Sequence, residues 1–271
     1  MTVEARFADP PRASSPGVHA ALSVLEALVA RGPLALSDLA SELGLPKSTL
    51  HRVCAILAER GWVVRDGGGR FDLGIRAIGI GARTSELPIV TAFRGMAAGL
   101  LTRHDETVCV AVLDGGESVF IALEETSQPV RLVTHVGSRT PAFASASGRI
   151  ILAARTPAGV TAEFGGRPLV TPTGRRLHSV GELQEILEAV RGNGYAENDE
   201  ETAVGLYALS VPIRNGGGTV LAALTLCVPT SRMNPERRTA LIRDLVAAGE
   251  RLSADVAWLP AWNATRGELP S

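Results

Sequence analysis

Residues 36–52, LSDLASELGLPKSTLHR, leave the chain little conformational freedom. Leu36, Leu39, Ala40 and Leu43 recur at spacings of three and four, the period of a helix with one apolar side. Gly44 follows where a helix stops in a left-handed turn, and Pro46 sits where the next helix makes its first turn. Leu50, Val53, Cys54 and Leu57 then form a second apolar side, from Lys47 to Glu59, and Gly61 closes it. Ser37 is the expected N-cap of the first of these two helices. Neither helix can bury its apolar side alone. An earlier segment is helical too: Ala21, Leu22, Leu25, Leu28 and Val29 keep the same period from Val18 until Gly32 and Pro33 end it.

Two short β segments come next, Trp62 to Arg65 and Arg70 to Leu73, joined by Asp66-Gly67-Gly68-Gly69 as a hairpin with a flexible tip. Helix, helix, tight turn, helix and hairpin in this order make a winged helix-turn-helix. Such a unit places the N-terminal half of its last helix in the major groove of DNA. With the apolar side turned inward, Lys47, Ser48, Thr49, His51, Arg52 and Ala55 face outward. Ser48 and Thr49 are short donors suited to phosphates at a helix N-terminus, and Arg52 has the fork for a guanine edge or a phosphate. Arg65 and Arg70 bracket the wing tip, and Ser37 adds a hydroxyl on the helix before. A solvated helix would show the same residue types singly; the whole arrangement is what points to DNA. The net charge is only −1 over 271 residues, so the positive charge that DNA demands must be local.

Ile75 to Glu86 reads as one more helix, a linker, and Pro88 breaks it at the domain junction. A helix from Ile89 to His104 opens the second domain, after which the period falls to two. Thr107 to Leu113 and Ser118 to Leu123 flank Asp114-Gly115-Gly116-Glu117 as a hairpin. Val130 to Val136 is expected as a third strand, Ser145 to Arg155 as a helix, and Val180 to Arg191 as an amphipathic helix beyond a stretch rich in Gly, Pro and Thr. Tyr207 to Ile213 pairs with Thr219 to Val228 around Asn215-Gly216-Gly217-Gly218, and a last helix spans Pro235 to Trp258. The acidic run Asp199 to Glu201 reads as a solvated loop. Strands mixed with helices on a mostly antiparallel sheet define an α+β fold. The expected boundaries are a disordered tail at 1–16, the winged helix-turn-helix domain at 17–74, the linker helix at 75–88, an effector-binding domain at 89–258 and a tail at 259–271.

Cys54, Cys109 and Cys227 are scattered and sit among apolar residues, a pattern of small core side chains. No ligand spacing supports a metal site and no motif calls for a cofactor. The start of the chain lacks the apolar segment of a secretory signal, and no stretch approaches the roughly 20 apolar residues of a membrane span; a cytoplasmic location with no membrane partner is expected.

The motifs resemble, in order, those of the IclR family of bacterial regulators. The similarity begins with Leu36 to Arg52, Leu57-Ala58-Glu59-Arg60-Gly61-Trp62-Val63 and Phe71-Asp72-Leu73-Gly74. It continues through Gly137-Ser138-Arg139-Thr140-Pro141-Ala142 and Ala146-Ser147-Gly148-Arg149. Arg191-Gly192-Asn193-Gly194-Tyr195-Ala196, Asp199-Glu200-Glu201, Gly205, Val211-Pro212-Ile213 and Pro229-Thr230-Ser231-Arg232 complete it. The resemblance implies a GAF-like sensor domain that closes over a small organic acid, aromatic or 2-oxo. It also implies a homodimer or dimer of dimers on operator DNA, paired partly through the linker helix.

By position in the family's motifs, the effector-binding residues are Phe143, Ala146, Ser147, Asn198, Leu206, Ala208, Thr225 and Cys227. Asn198 stands where some relatives have aspartate. The residues themselves lead to a similar place: Ser145 to Gly148 opens a helix, where free N–H groups favour a carboxylate, beside a mostly apolar wall. The reading is a ligand-responsive transcriptional regulator, with repression of a catabolic operon the family habit. The alternative is a small-molecule-transforming enzyme with an accessory DNA-binding domain, using Ser147, Cys227, His135 or His178. No Gly-x-Ser-x-Gly elbow surrounds Ser147, so no catalytic residue is assigned.

Overall fold

The computed structural model describes residues 15–84 and 86–260, and the chain divides into two compact units after Thr84. The expected tails lie almost wholly outside the described residues.

The first unit holds α1 (Pro16–Arg31), α2 (Leu36–Leu43), α3 (Lys47–Glu59), β1 (Val63–Arg65), β2 (Phe71–Leu73) and α4 (Ile75–Thr84). Its core joins Val24 and Leu28 of α1, Leu39 of α2, Leu50, Cys54 and Leu57 of α3, and Val63 and Phe71 of the hairpin. Each such leucine stabilises the fold by about 2 kcal/mol through burial alone. Gly44 adopts the left-handed conformation, φ 62°, that ends α2 and turns the chain into α3. Ser37 is not the cap: Ala35 holds that position, and Ser37 lies in the first turn, its hydroxyl 3.4 Å from Asp38 Oδ1. The apolar period at Leu36 draws the helix back by one residue, and Leu36 packs against the core.

The wing is fastened to the body twice. Leu34, between α1 and α2, exchanges backbone hydrogen bonds with Phe71 at 2.9 and 2.8 Å. The Arg70 guanidinium donates to the Pro33 carbonyl. At Gly74 a Cβ would fall 2.3 Å from the Gly61 carbonyl oxygen, so only glycine lets the chain leave the wing here.

The second unit begins with α5 (Pro88–His104), β3 (Thr107–Asp114), β4 (Glu117–Glu124), β5 (Arg139–Pro141), α6 (Ala146–Ala153) and α7 (Pro157–Phe164). A small hairpin follows, β6 (Leu169–Val170) and β7 (Arg176–Leu177), and then α8 (Val180–Asn193) and β8 (Ala196–Asp199). The unit closes with β9 (Leu206–Arg214), β10 (Val220–Pro229), a 3-10 turn at Thr230–Arg232 and α9 (Pro235–Asp255). Six strands form one antiparallel sheet in the order β5-β4-β3-β10-β9-β8. Alternation along the strands divides the side chains between two cores. Val108, Val110, Leu209, Val211, Leu224 and Leu226 pack with Phe93 of α5 and Leu241 and Leu245 of α9. Cys109, Ala111, Ala208, Ala223 and Cys227 face the other way, toward Leu152 of α6 and Leu183 and Leu187 of α8. The fold is α+β, as expected.

Three local expectations change. Pro88 starts α5, at a position where its missing N–H costs nothing, and α4 ends before it, at Thr84. Val130 to Val136 forms no strand; it runs without a sheet neighbour, with Leu132 and Thr134 half-buried and Val133 85% exposed. The acidic run is not simply a solvated loop, because Glu201 is buried beside Arg149.

Candidate functional site

The outward side of α3 brings Lys47, Ser48, Thr49, His51, Arg52 and Ala55 to solvent, while Leu50, Val53, Cys54 and Leu57 are buried beneath. The helix begins after Pro46, and no side chain caps it. Its N-terminal N–H groups, with the positive end of the helix dipole, therefore sit among Lys47, Ser48 and Thr49. Burial raises the Cys54 thiol above its ordinary pKa, which suits a packing role. On the wing, Arg65 lies over the Phe71 ring, 5.6 Å from its centroid, and donates to the Gly69 carbonyl at 3.3 Å. Asp66 shapes the tip by accepting from the N–H groups of Gly68 and Arg70, both at 2.9 Å. Both wing arginines are exposed, and both are held. Ser37 is exposed on α2.

In the second unit a cavity of about 190 Å³ lies between the sheet and the start of α6. Of the residues singled out from the sequence, Ala146, Ser147, Leu206, Ala208, Thr225 and Cys227 line it. Phe143 and Asn198 are not in its lining. Phe143 stacks edge-on against Phe164, with centroids 6.1 Å apart, and its carbonyl accepts from Arg149 Nε at 2.9 Å. The Asn198 side chain donates to the Ala144 carbonyl and accepts from the Glu201 N–H at 3.2 Å, which fastens the loop after β8 to the α6 corner.

Further lining comes from Phe120 of β4, from Leu132 and Thr134 of the unpaired segment, from Ser138, whose carbonyl accepts from the Phe120 N–H, from Thr140 and Ser145, and from Thr202 and Ala203. The alternation of Leu132 and Thr134 along a β-like sequence was the one available signal for their inward aim. Nothing local marks Thr202 and Ala203.

The corner that opens α6 is built for close approach. Ser145 caps the helix, its hydroxyl accepting from the Gly148 N–H at 3.1 Å. A Cβ at Gly148 would stand 2.3 Å from both the Cα and the carbonyl oxygen of Ala142. The N–H groups of Ala146 and Ser147 have no acceptor among the described residues. Besides Ser145, four hydroxyls on the wall are already partnered: Ser147 with Ser118 and Thr225 with Ser210, both at 2.7 Å, Ser138 with His135 at 3.2 Å and Thr202 with Asn198 at 3.4 Å. Those of Thr134 and Thr140 have no partner among the described residues, and both residues line the cavity, as do Ala146 and Ser147.

Arg149 is buried behind this corner. It donates to both carboxylate oxygens of Glu201 and to the carbonyl of Glu197, while exposed Arg175 reaches Glu201 from outside at 3.1 Å. The thiol of Cys109, next to Cys227 in the sheet, is held well above its ordinary pKa by its hydrogen bond with Cys227 and by burial. Among the described residues, no group of three or more His, Cys, Asp or Glu is placed to hold a metal ion, and no helix is long and apolar enough to cross a membrane.

Residues 81–254 match the model of the bacterial transcriptional regulator IclR C-terminal domain, well over half of the chain. The chain belongs to the IclR family. The IclR helix-turn-helix domain matches at 18–67, which covers α1 to α3 and β1. The chain is 31% identical over 221 residues to the HTH-type transcriptional repressor AllR of Salmonella typhimurium, covering 79% of this chain and 80% of that one. It is 29% identical over 226 residues to the transcriptional repressor IclR of Escherichia coli, covering 82% of each. An IclR homologue from Microbacterium hydrocarbonoxydans, solved in complex with 4-hydroxybenzoate, has the same fold, with a TM-score of 0.74 at 23% identity over 90% of this chain and all of that one. Like its IclR-family relatives, the chain is a DNA-binding transcriptional regulator with an effector-binding C-terminal domain. The enzyme alternative finds no support among them.

Proposed function

We propose that this regulator represses a catabolic operon in the cytoplasm and is released from its operator when a small organic acid, aromatic or 2-oxo, enters the cavity beside α6. The observation that carries the reading is the cavity itself. Its surface is mainly apolar, and the residues that line it include Ala146 and Ser147, whose N–H groups are free at a helix N-terminus, and Thr134 and Thr140, whose hydroxyls have no partner among the described residues. This is the make-up of a site for a carboxylate on a compact apolar body. The 4-hydroxybenzoate held by the Microbacterium homologue is a molecule of that kind.

Residues 17–74 form the reading head in this proposal, 75–88 the linker and 89–258 the effector domain. Lys47, Ser48, Thr49, His51 and Arg52 meet the major groove and its phosphates, Arg65 and Arg70 the backbone beside it, and Ser37 an adjacent phosphate. One head covers too little DNA for a selective operator, so a homodimer reads two half-sites. Unpartnered apolar side chains favour this. Val18, Leu22, Leu25 and Val29 of α1 follow spacings of four, three and four, and Val18, Leu22 and Val29 are exposed. Ile75, Ile78 and Ile80 of α4 are exposed too, Ile75 at 73%. The effector then acts by changing the spacing of the two heads, a coupling of typically ~1–3 kcal/mol.

The test is a gel-shift assay on the DNA upstream of the gene, with and without a panel of carboxylic acids. The expected result is a specific shift abolished by one acid of the panel. A shift that no acid alters would leave the cavity without a role, and no shift at low salt from folded protein would refute the operator reading.

A further inference from the structure

The wall of the cavity is uncharged. Among the described residues no lysine, arginine or histidine lines it, and its one titratable group is the thiol of Cys227. The cations on the elements that supply the lining are engaged with other groups. Arg139 of β5 donates to Glu117 at 2.6 Å and to Asp114 at 2.8 Å. Arg149 is bound to Glu201 and to backbone carbonyls, and Arg175 shares that carboxylate. Arg131 pairs with Glu125 at 3.5 Å, and His135 is exposed and bonded through Nδ1 to the Ser138 hydroxyl at 3.2 Å. A negative charge inside the cavity thus meets no cation on the wall, only uncharged donors: the N–H groups at the start of α6 and hydroxyls such as those of Thr134 and of Thr140 in β5. A helix N-terminus carries the equivalent of about half a charge, enough for one carboxylate but not for a second across an apolar space.

On this basis we infer that the cavity selects effectors by charge: it accepts monoanions and excludes dianions of the same size. The inference rests on the reading of the cavity as the effector site, and narrows it. A second ionised group would be buried without a counter-ion or a full set of donors, which is the costliest polar arrangement a protein interior offers. A second polar group without charge, such as a phenol, an ester or a keto oxygen, meets no such barrier.

The test is isothermal titration calorimetry on the full-length protein at neutral pH with matched ligands. One set is 4-hydroxybenzoate, terephthalate and monomethyl terephthalate, in which the monoester is the larger molecule but carries one charge. The other is glyoxylate against oxalate. The expected result is binding by the monoanions of at least one set, with the dianion of that set weakened by about 100-fold or more. In the aromatic set, binding of the monoester but not of terephthalate excludes size as the cause. Equal affinity, within about threefold, for a dianion and its monoanion would overturn the charge selection while leaving the acid-binding reading intact. If no ligand of either set binds, the selection and the acid reading fall together. A second measurement uses Thr140→Arg, which adds a cation to the lining. Its dianion affinity should rise relative to that of the monoanion, with operator binding checking the fold of the variant; an unchanged ratio in variant and wild type would count against the inference.

Discussion

Arg149 and Glu201, 52 residues apart in sequence, meet with two guanidinium nitrogens on two carboxylate oxygens, and both side chains are buried. The pair joins α6 to the loop that carries Thr202 and Ala203 to the cavity wall. Taking one partner from a buried ion pair leaves a charge with no compensation, at a cost of about 3–5 kcal/mol. Glu201→Gln and Arg149→Met should each lower the unfolding free energy of the second unit by that order. Glu201→Gln should also weaken effector binding, by loosening the wall. Denaturant melts of the single and double variants check this: the double should lose less than the sum of the singles, whereas strict additivity would show that the two groups do not act as a pair.

Ala208 presents only a methyl group to the cavity, and no hydrogen bond depends on it. Ala208→Leu should fill space that the effector needs and reduce its affinity by at least about tenfold, while Tm changes little because the added atoms enter an existing void. Ser147→Leu is a poorer probe, since it would also strip the buried Ser118 hydroxyl of its partner. Full effector response in Ala208→Leu would place the ligand elsewhere.

On the reading head, Lys47→Ala and Arg52→Ala should weaken operator binding and leave effector binding intact. A residue that contacts only phosphate should reduce the slope of log affinity against log salt by about one, and weaken all sequences alike. A residue that reads a base should instead relax specificity at one position, at a cost of about 1–3 kcal/mol. Salt titrations on operator and unrelated DNA separate the two; unchanged affinity in both variants would remove this side of α3 from the interface.

Asp105 ends α5 in the left-handed conformation and accepts from the Thr126 hydroxyl, the Gln128 amide and the Ser127 N–H. These bonds, that from Thr126 foremost, bring its pKa down from 3.8 to about 2. With the folded value depressed, the contribution to stability is complete above the unfolded value and is lost as the pH falls through the folded one. Asp105→Asn should therefore be less stable than the wild type at pH 5–7, with a gap that closes between about pH 4 and 2. Thermal melts across that range test it, and a gap constant down to pH 2 would exclude the carboxylate as its source.

The reading head was legible because its information is local. The stripes of α1, α2 and α3 each repeat within a dozen residues, and Gly44 and Pro46 mark the one turn that matters. The two long hairpins were legible for the same reason, from short runs rich in apolar residues on either side of glycine-rich turns. What the sequence hid was long-range. Alternation from Val130 to Val136 does report an extended chain with one side inward, but a strand also needs a neighbour, and residue pattern does not reveal whether one is there. The acidic run concealed Glu201 because its partner lies on another element. Short pieces such as β6, β7 and β8 carry too few residues to set a period. In the cavity, small residues next to a helix start marked the floor and alternation pointed to Thr134, while Thr140 and Thr202 entered through packing alone.

The double fastening of the wing, Leu34 to Phe71 and Arg70 to Pro33, has a consequence for how such a protein diversifies. The groups that hold the head in shape are backbone atoms, buried apolar side chains and the wing residues Arg65, Asp66 and Arg70, while the outward residues of α3 make no side-chain hydrogen bond among the described residues. On the proposed reading of α3, a lineage can therefore rewrite that handful of side chains, one at a time, and address a new set of genes without ever passing through an ancestor that fails to fold.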